Sequence, residues 1–168
     1  MRKAMFLAPV FLIALSGCGS IRKLSDDDLA SYLQRGAEVV VSHGVDFLMD
    51  KYPDKKAAIL KDIEAVSVSI KTDVLPVFAG ASVGDITLAT VQDVLRKLDT
   101  KVSPTIKTVI TSAVAAVSAM LPQKPGDKIP ERTKKAVVGV MSGIIAGIDE
   151  ILADEVPPAP APVPEPPK

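Results

Sequence analysis

Residues 136–148 read AVVGVMSGIIAGI, a stretch of 13 residues without a charged side chain. Lys134 and Lys135 precede the stretch, and Asp149 and Glu150 follow it. An α-helix needs roughly 20 apolar residues to cross a bilayer, so the stretch is too short for a membrane span. It therefore predicts a buried core helix, from about residue 130 to residue 154, in an all-α protein.

Three glycines recur every fourth residue within this helix, at Gly139, Gly143 and Gly147. This spacing aligns them on one helix face, where another backbone can approach closely. Each glycine costs the helix roughly 1 kcal/mol relative to alanine, so a packing contact should compensate. We expect the face to pack against a helix at 104–121, which is rich in alanine. Self-association and insertion into a bilayer stay open as alternatives.

Four further helices are predicted at roughly 26–51, 53–79, 86–98 and 104–121, because apolar residues recur there at helical spacing. Ser25 before three aspartates is typical of a helix N-cap. The first helix places Leu29, Leu33 and Phe47 on its apolar face. Pro76 should kink or end the second helix, since proline removes one ladder bond. The expected architecture is a bundle of about five helices.

The chain ends in a proline-rich segment at residues 155–168, with seven prolines among the last twelve residues. Such a run favours polyproline II at ~3.1 Å per residue, without internal hydrogen bonds. We expect a disordered, semi-rigid arm of ~35–40 Å. The arm could bind an aromatic groove, act as a spacer, or simply be a solvated tail.

The other end of the chain has the organisation of an export signal. Arg2 and Lys3 precede an apolar run from Ala4 to Ala14, and small residues follow. The tetrapeptide LSGC at residues 15–18, which holds the chain's single cysteine, resembles the lipobox of bacterial lipoproteins. That resemblance implies cleavage between Gly17 and Cys18, a diacylglycerol on the Cys18 thiol, and an acylated new amino terminus. In the same family, aspartate at the position of Gly19 would favour the inner membrane, so glycine implies the outer membrane, facing the periplasm. The inner membrane and the cell surface stay open as alternatives.

The sequence thus divides into a signal peptide at 1–17, a lipidated tether at 18–24, a helical domain at 25–154 and the tail at 155–168. The chain has 20 basic and 20 acidic residues, and loss of Arg2 and Lys3 leaves it slightly acidic. This balance and the few aromatics argue against nucleic-acid binding. His43 is the single histidine, so the usual Cys/His metal sites cannot be assembled. No phosphate-binding glycine loop or serine elbow is present. We expect no cofactor and no catalysis.

The expected function is a non-catalytic interaction or scaffold module of the bacterial envelope. The lipid would hold one end at the membrane, and the tail would reach a protein or peptidoglycan partner. The alternative is a membrane-active lipoprotein of the lysis, pore-forming or phage-exclusion type, in which the helices at 104–121 and 130–154 form a hairpin that enters lipid. The sequence leaves the oligomeric state open.

Overall fold

The computed structural model describes residues 24–80, 96, 104–118 and 128–155, and these ranges are almost entirely helical. The elements are α1 (Asp26–Lys51), a 3₁₀ turn (Pro53–Lys55), α2 (Lys56–Ser69), a π-helical turn (Ile70–Val74), α3 (Leu75–Gly80), α4 (Pro104–Ser118) and α5 (Glu131–Glu155). Since residues 56–80 form one unbroken run, the described ranges contain four helices and no strand. The all-α prediction is confirmed.

Several predicted segments lie outside the described residues. They are the signal peptide at 1–17, the tether at 18–23 and the tail at 156–168. The predicted helix at 86–98 is described at Arg96 alone, which is helical and exposed. Leu24, assigned to the tether from the sequence, packs against the core, and its carbonyl accepts a hydrogen bond from Arg132 at 2.9 Å.

Helix α1 begins and ends where the sequence predicts. The Ser25 hydroxyl accepts the backbone N–H of Asp28 at 3.1 Å, as an N-cap does, and donates to the Asp28 carboxylate at 2.6 Å. The helix ends at Lys51, and Tyr52 leads into Pro53. These terminal contacts satisfy backbone groups that the helix itself cannot pair.

Pro76 does not end its helix, which continues to Gly80. Instead, the turn before it widens into the π-helical turn Ile70–Val74. Proline has no N–H to donate to the preceding turn, and its ring crowds the carbonyl four residues earlier. Widening that turn accommodates the proline, while Val74 and Phe78 remain buried on either side.

The core lies between α1 and α5, which form the most extensive contact in the described ranges. Buried residues of α1 follow the line 29, 33, 37, 41, 45 and 49. Phe47 lies two positions beyond Val45, on the opposite side of the helix, and is 37% exposed. The expectation that Phe47 faces the core was therefore wrong.

Helix α2 runs antiparallel to α5 along the other side of the core. Its first residue, Lys56, contacts the carboxylate of Glu155 at 2.6 Å. Further along the same run, Ser67 donates to Asp149 at 3.2 Å, and Lys71 lies 2.9 Å from the same carboxylate. As the residue number increases along α2, the residue number of its partner on α5 decreases, so the two helices are antiparallel.

Candidate functional site

The glycine face of α5 lies against the backbone of α1. A methyl group placed on Gly143 would lie 2.8 Å from the carbonyl carbon of Gln34 and 2.9 Å from the Ala37 Cβ. One placed on Gly147 would lie 2.7 Å from the carbonyl oxygen of Glu38. These distances leave no room for a side chain. The expected partner, the helix at 104–121, was therefore wrong, since the surface that closes on the glycines belongs to α1.

The register of this contact shows that α1 and α5 are parallel. The nearest α1 atoms to Gly139, Gly143 and Gly147 are the carbonyl oxygens of residues 30, 34 and 38, respectively. Each step of four residues on α5 thus matches a step of four in the same direction on α1. Carbonyl oxygens that face glycine Cα–H groups are a recurring feature of close helix pairs. The amino termini of both helices therefore lie at one end of the bundle.

That end, which we call the proximal end, carries charges of both signs. Arg132 lies 3.0 Å from Asp26, and Lys135 lies 2.7 Å from Asp27. The hydrogen bond from Lys135 to Asp27 raises the pKa of Lys135 above its usual 10.5, against the opposing effect of desolvation. An open groove of about 390 Å³ runs along the surface where the two helices meet, and its lining includes Glu131 and Lys134. The proximal end is therefore a mixed-charge surface.

The opposite end, which we call the distal end, carries an exposed aromatic–lysine patch made of Phe47, Lys51, Tyr52 and Lys55. The Lys51 ammonium lies 5.9 Å from the ring centre of Phe47 and 5.1 Å from that of Tyr52. The Lys55 ammonium lies 5.6 Å from the Tyr52 ring. These are cation–π distances, and both rings are more than a third exposed. Sequence reasoning missed this patch because it assigned Phe47 to the core.

Asp149 links the antiparallel helices. It accepts the Ser67 hydroxyl and pairs with Lys71, while its own side chain is 50% exposed. Its partners lie 82 and 78 residues away in the chain, so no local pattern could have indicated them.

His43 is exposed on α1. Within the described ranges no group of three or more His, Cys, Asp or Glu side chains could hold a metal ion. Cys18 and the cleavage site at Gly17 lie outside these ranges.

Helix α5 is apolar and long enough to cross a membrane by length and composition, and it is the one such helix among the described residues. Of its most apolar window, 56% is buried inside the bundle. The core helix of a globular domain has the same character, so the composition of α5 does not by itself indicate a membrane span.

Comparison with protein-family models, curated proteins and solved structures finds no match to this chain.

Proposed function

We propose that this chain is a lipid-anchored, non-catalytic spacer of the bacterial envelope, which presents its proline-rich tail away from the membrane. Cys18 would carry the lipid at the outer membrane, on the periplasmic side. The tail at 156–168 would reach a protein or the peptidoglycan. In this proposal residues 86–98 add a fifth helix to the bundle, and the tail is an extended, disordered arm.

The observation that carries the proposal is the parallel pairing of α1 and α5. Cys18 precedes Leu24 by six residues, and an extended chain covers at most about 3.6 Å per residue. The lipid would therefore lie within roughly 20 Å of the proximal end. The tail leaves α5 after Glu155, at the distal end. Helix α5 has 25 residues and measures about 37 Å. An antiparallel pair would instead have placed the lipid and the tail side by side.

The charges of the proximal end support attachment by lipid rather than by electrostatics. On the two helices, Asp26, Asp27, Asp28 and Glu131 offset the basic side chains at the start of α5, and the tether adds only Arg22 and Lys23. A surface bound by charge would need a cluster of unbalanced lysines and arginines. Each buried lipid methylene contributes ~0.8 kcal/mol, so three acyl chains would hold the protein without help from basic residues.

The anchor is tested by growing expressing cells with an alkyne analogue of palmitate. We expect label on the wild-type chain and none on the Cys18→Ser variant, with equal helical circular dichroism for both. A wild-type chain without label contradicts the anchor.

Presentation of the tail is tested by photo-cross-linking in the same cells. A photoreactive residue at Ala161, in the tail, should cross-link to another envelope component more strongly than one at Lys61, an exposed position on α2. Equal yields at the two positions contradict the proposed role of the tail.

The length and hydropathy of α5 favour a second candidate, a membrane-active lipoprotein that inserts α4 and α5 into lipid. Insertion would have to separate the glycine face from α1. Leakage of dye from anionic vesicles, induced by the wild-type chain and prevented by a disulfide between α1 and α5, would favour this candidate. The spacer proposal predicts no leakage.

A further inference from the structure

We propose that the tail, when no partner holds it, docks in cis on the aromatic–lysine patch of Phe47, Lys51, Tyr52 and Lys55. The inference rests on the proposed function in one respect, that the tail is the segment that reaches a partner. The inference adds a resting position for the tail. A partner would have to compete with the patch for binding to the tail.

The place where the tail begins supports this docking. Glu155 is the last residue of α5, and its carboxylate lies 2.6 Å from the Lys56 ammonium. Lys56 directly follows Lys55, whose ammonium lies against the Tyr52 ring. The tail therefore starts at the same end of the bundle as the patch. Its last twelve residues would extend about 37 Å in polyproline II, which is ample to cross both rings.

The chemistry of the two surfaces is complementary. Exposed aromatic rings are the surfaces on which polyproline segments dock, because the rigid proline helix loses little entropy on binding. The tail offers prolines at 157, 158, 160, 162, 164, 166 and 167. Its one acidic side chain, Glu165, can pair with Lys51 or Lys55, whose ammonium groups already lie over the rings. The proline-rich tail thus has the chemistry of a ligand for the aromatic–lysine patch on the same chain.

The two tyrosines allow a direct test, because the chain contains no tryptophan. Tyr32→Phe leaves Tyr52 as the single emitter, and Tyr52→Phe leaves Tyr32, near the proximal end of α1, as a control. Quenching by acrylamide is measured for the purified mature chain in detergent, with the native tail or with its seven prolines replaced by glycine. The glycine tail keeps length and charge but cannot form the rigid proline helix.

Docking predicts that the glycine tail raises the quenching constant of Tyr52 roughly two-fold, since a docked proline segment covers about one face of the ring. Quenching of Tyr32 should not change. Equal quenching of Tyr52 with both tails overturns the inference. A change that grows with protein concentration also overturns it, because the tail would then dock on another copy. These results do not depend on palmitate labelling or cross-linking, so a failure here is distinguishable from a failure of the proposed function.

Discussion

Replacing Gly143 by alanine tests the parallel contact between α1 and α5. In an isolated helix this change is stabilising by about 1 kcal/mol, because glycine is the poorer helix former. In this protein the added methyl group would lie 2.8 Å from the Gln34 carbonyl carbon and 2.9 Å from the Ala37 Cβ, where ordinary contacts lie at 3.4–4 Å. The nearest atoms belong to the α1 backbone, so no rotation of a side chain can relieve the clash. The two helices must move apart.

The expected cost follows from these distances. The Gln34 carbonyl carbon must move by about 0.6 Å to reach an ordinary contact, which weakens dispersion contacts along the whole glycine face. Overpacking costs about 1–3 kcal/mol, and contact with backbone atoms that cannot rotate away puts this substitution in the upper part of that range, at about 2–3 kcal/mol. The gain of about 1 kcal/mol in helix propensity is subtracted from this cost. We expect a net loss of about 1–2 kcal/mol and a fall in Tm of roughly 4–8 °C.

The assay is urea unfolding followed by circular dichroism at 222 nm. Ser142→Ala is the control, because it changes the neighbouring, half-buried residue of α5 without adding bulk, and its effect should stay within about 0.5 kcal/mol. If Gly143→Ala is instead more stable than the wild type by about 1 kcal/mol, helix propensity alone acts at this position. The close contact with α1 would then be refuted.

Three further predictions concern the helix ends and the ion pairs. Ser25→Ala removes the hydroxyl that accepts the Asp28 N–H and should lower the free energy of unfolding in urea by about 1 kcal/mol; an unchanged value would contradict the cap. Asp149→Asn removes a half-exposed pair with Lys71 and should cost less than about 1 kcal/mol, a difference that 1 M salt should abolish; a loss independent of salt would contradict it. Because Asp27 raises the pKa of Lys135, this lysine stabilises the fold below the pKa of the unfolded chain, and its contribution falls as pH rises through the higher folded value. The Tm difference between wild type and Lys135→Gln should hold steady to about pH 10 and shrink above it, and a difference unchanged at about pH 11.5 would refute this.

The local features of the fold could be predicted from the sequence because short-range chemistry specifies them. Ser25 and its aspartates set the start of α1, and Pro53 sets its end. Ile59, Ile63 and Val66 recur at helical spacing in α2, and all three are buried. Helix α5 begins one residue later than predicted, at Glu131, after the proline that opens it.

The pairing of helices could not be predicted in the same way. A stripe of glycines shows that some backbone approaches, but not which one. The alanines of the helix at 104–121 made it the natural candidate. Helix α1 contacts the glycines through the backbone carbonyl oxygens of Gln34 and Glu38. Because the side chains of these two residues are polar, the sequence pattern does not indicate that this part of α1 is a packing surface. Similarly, the helical period alone did not separate Phe47 from the core, because the line that becomes buried depends on where α5 packs.

The most direct test of the lipid at the proximal end and the tail at the distal end is to measure the height of each end of the bundle above the membrane. From the register of the glycine contact, Asp27 lies level with residue 136, and Asp154 lies 18 residues further along α5, about 27 Å away. Donor dyes on Asp27→Cys and Asp154→Cys variants in vesicles, with an acceptor at the bilayer surface, report the two heights by energy transfer. We expect strong transfer from position 27 and weak transfer from position 154, because position 154 would lie about 27 Å farther from the lipid. Equal transfer from both positions, or stronger transfer from position 154, would contradict this expectation.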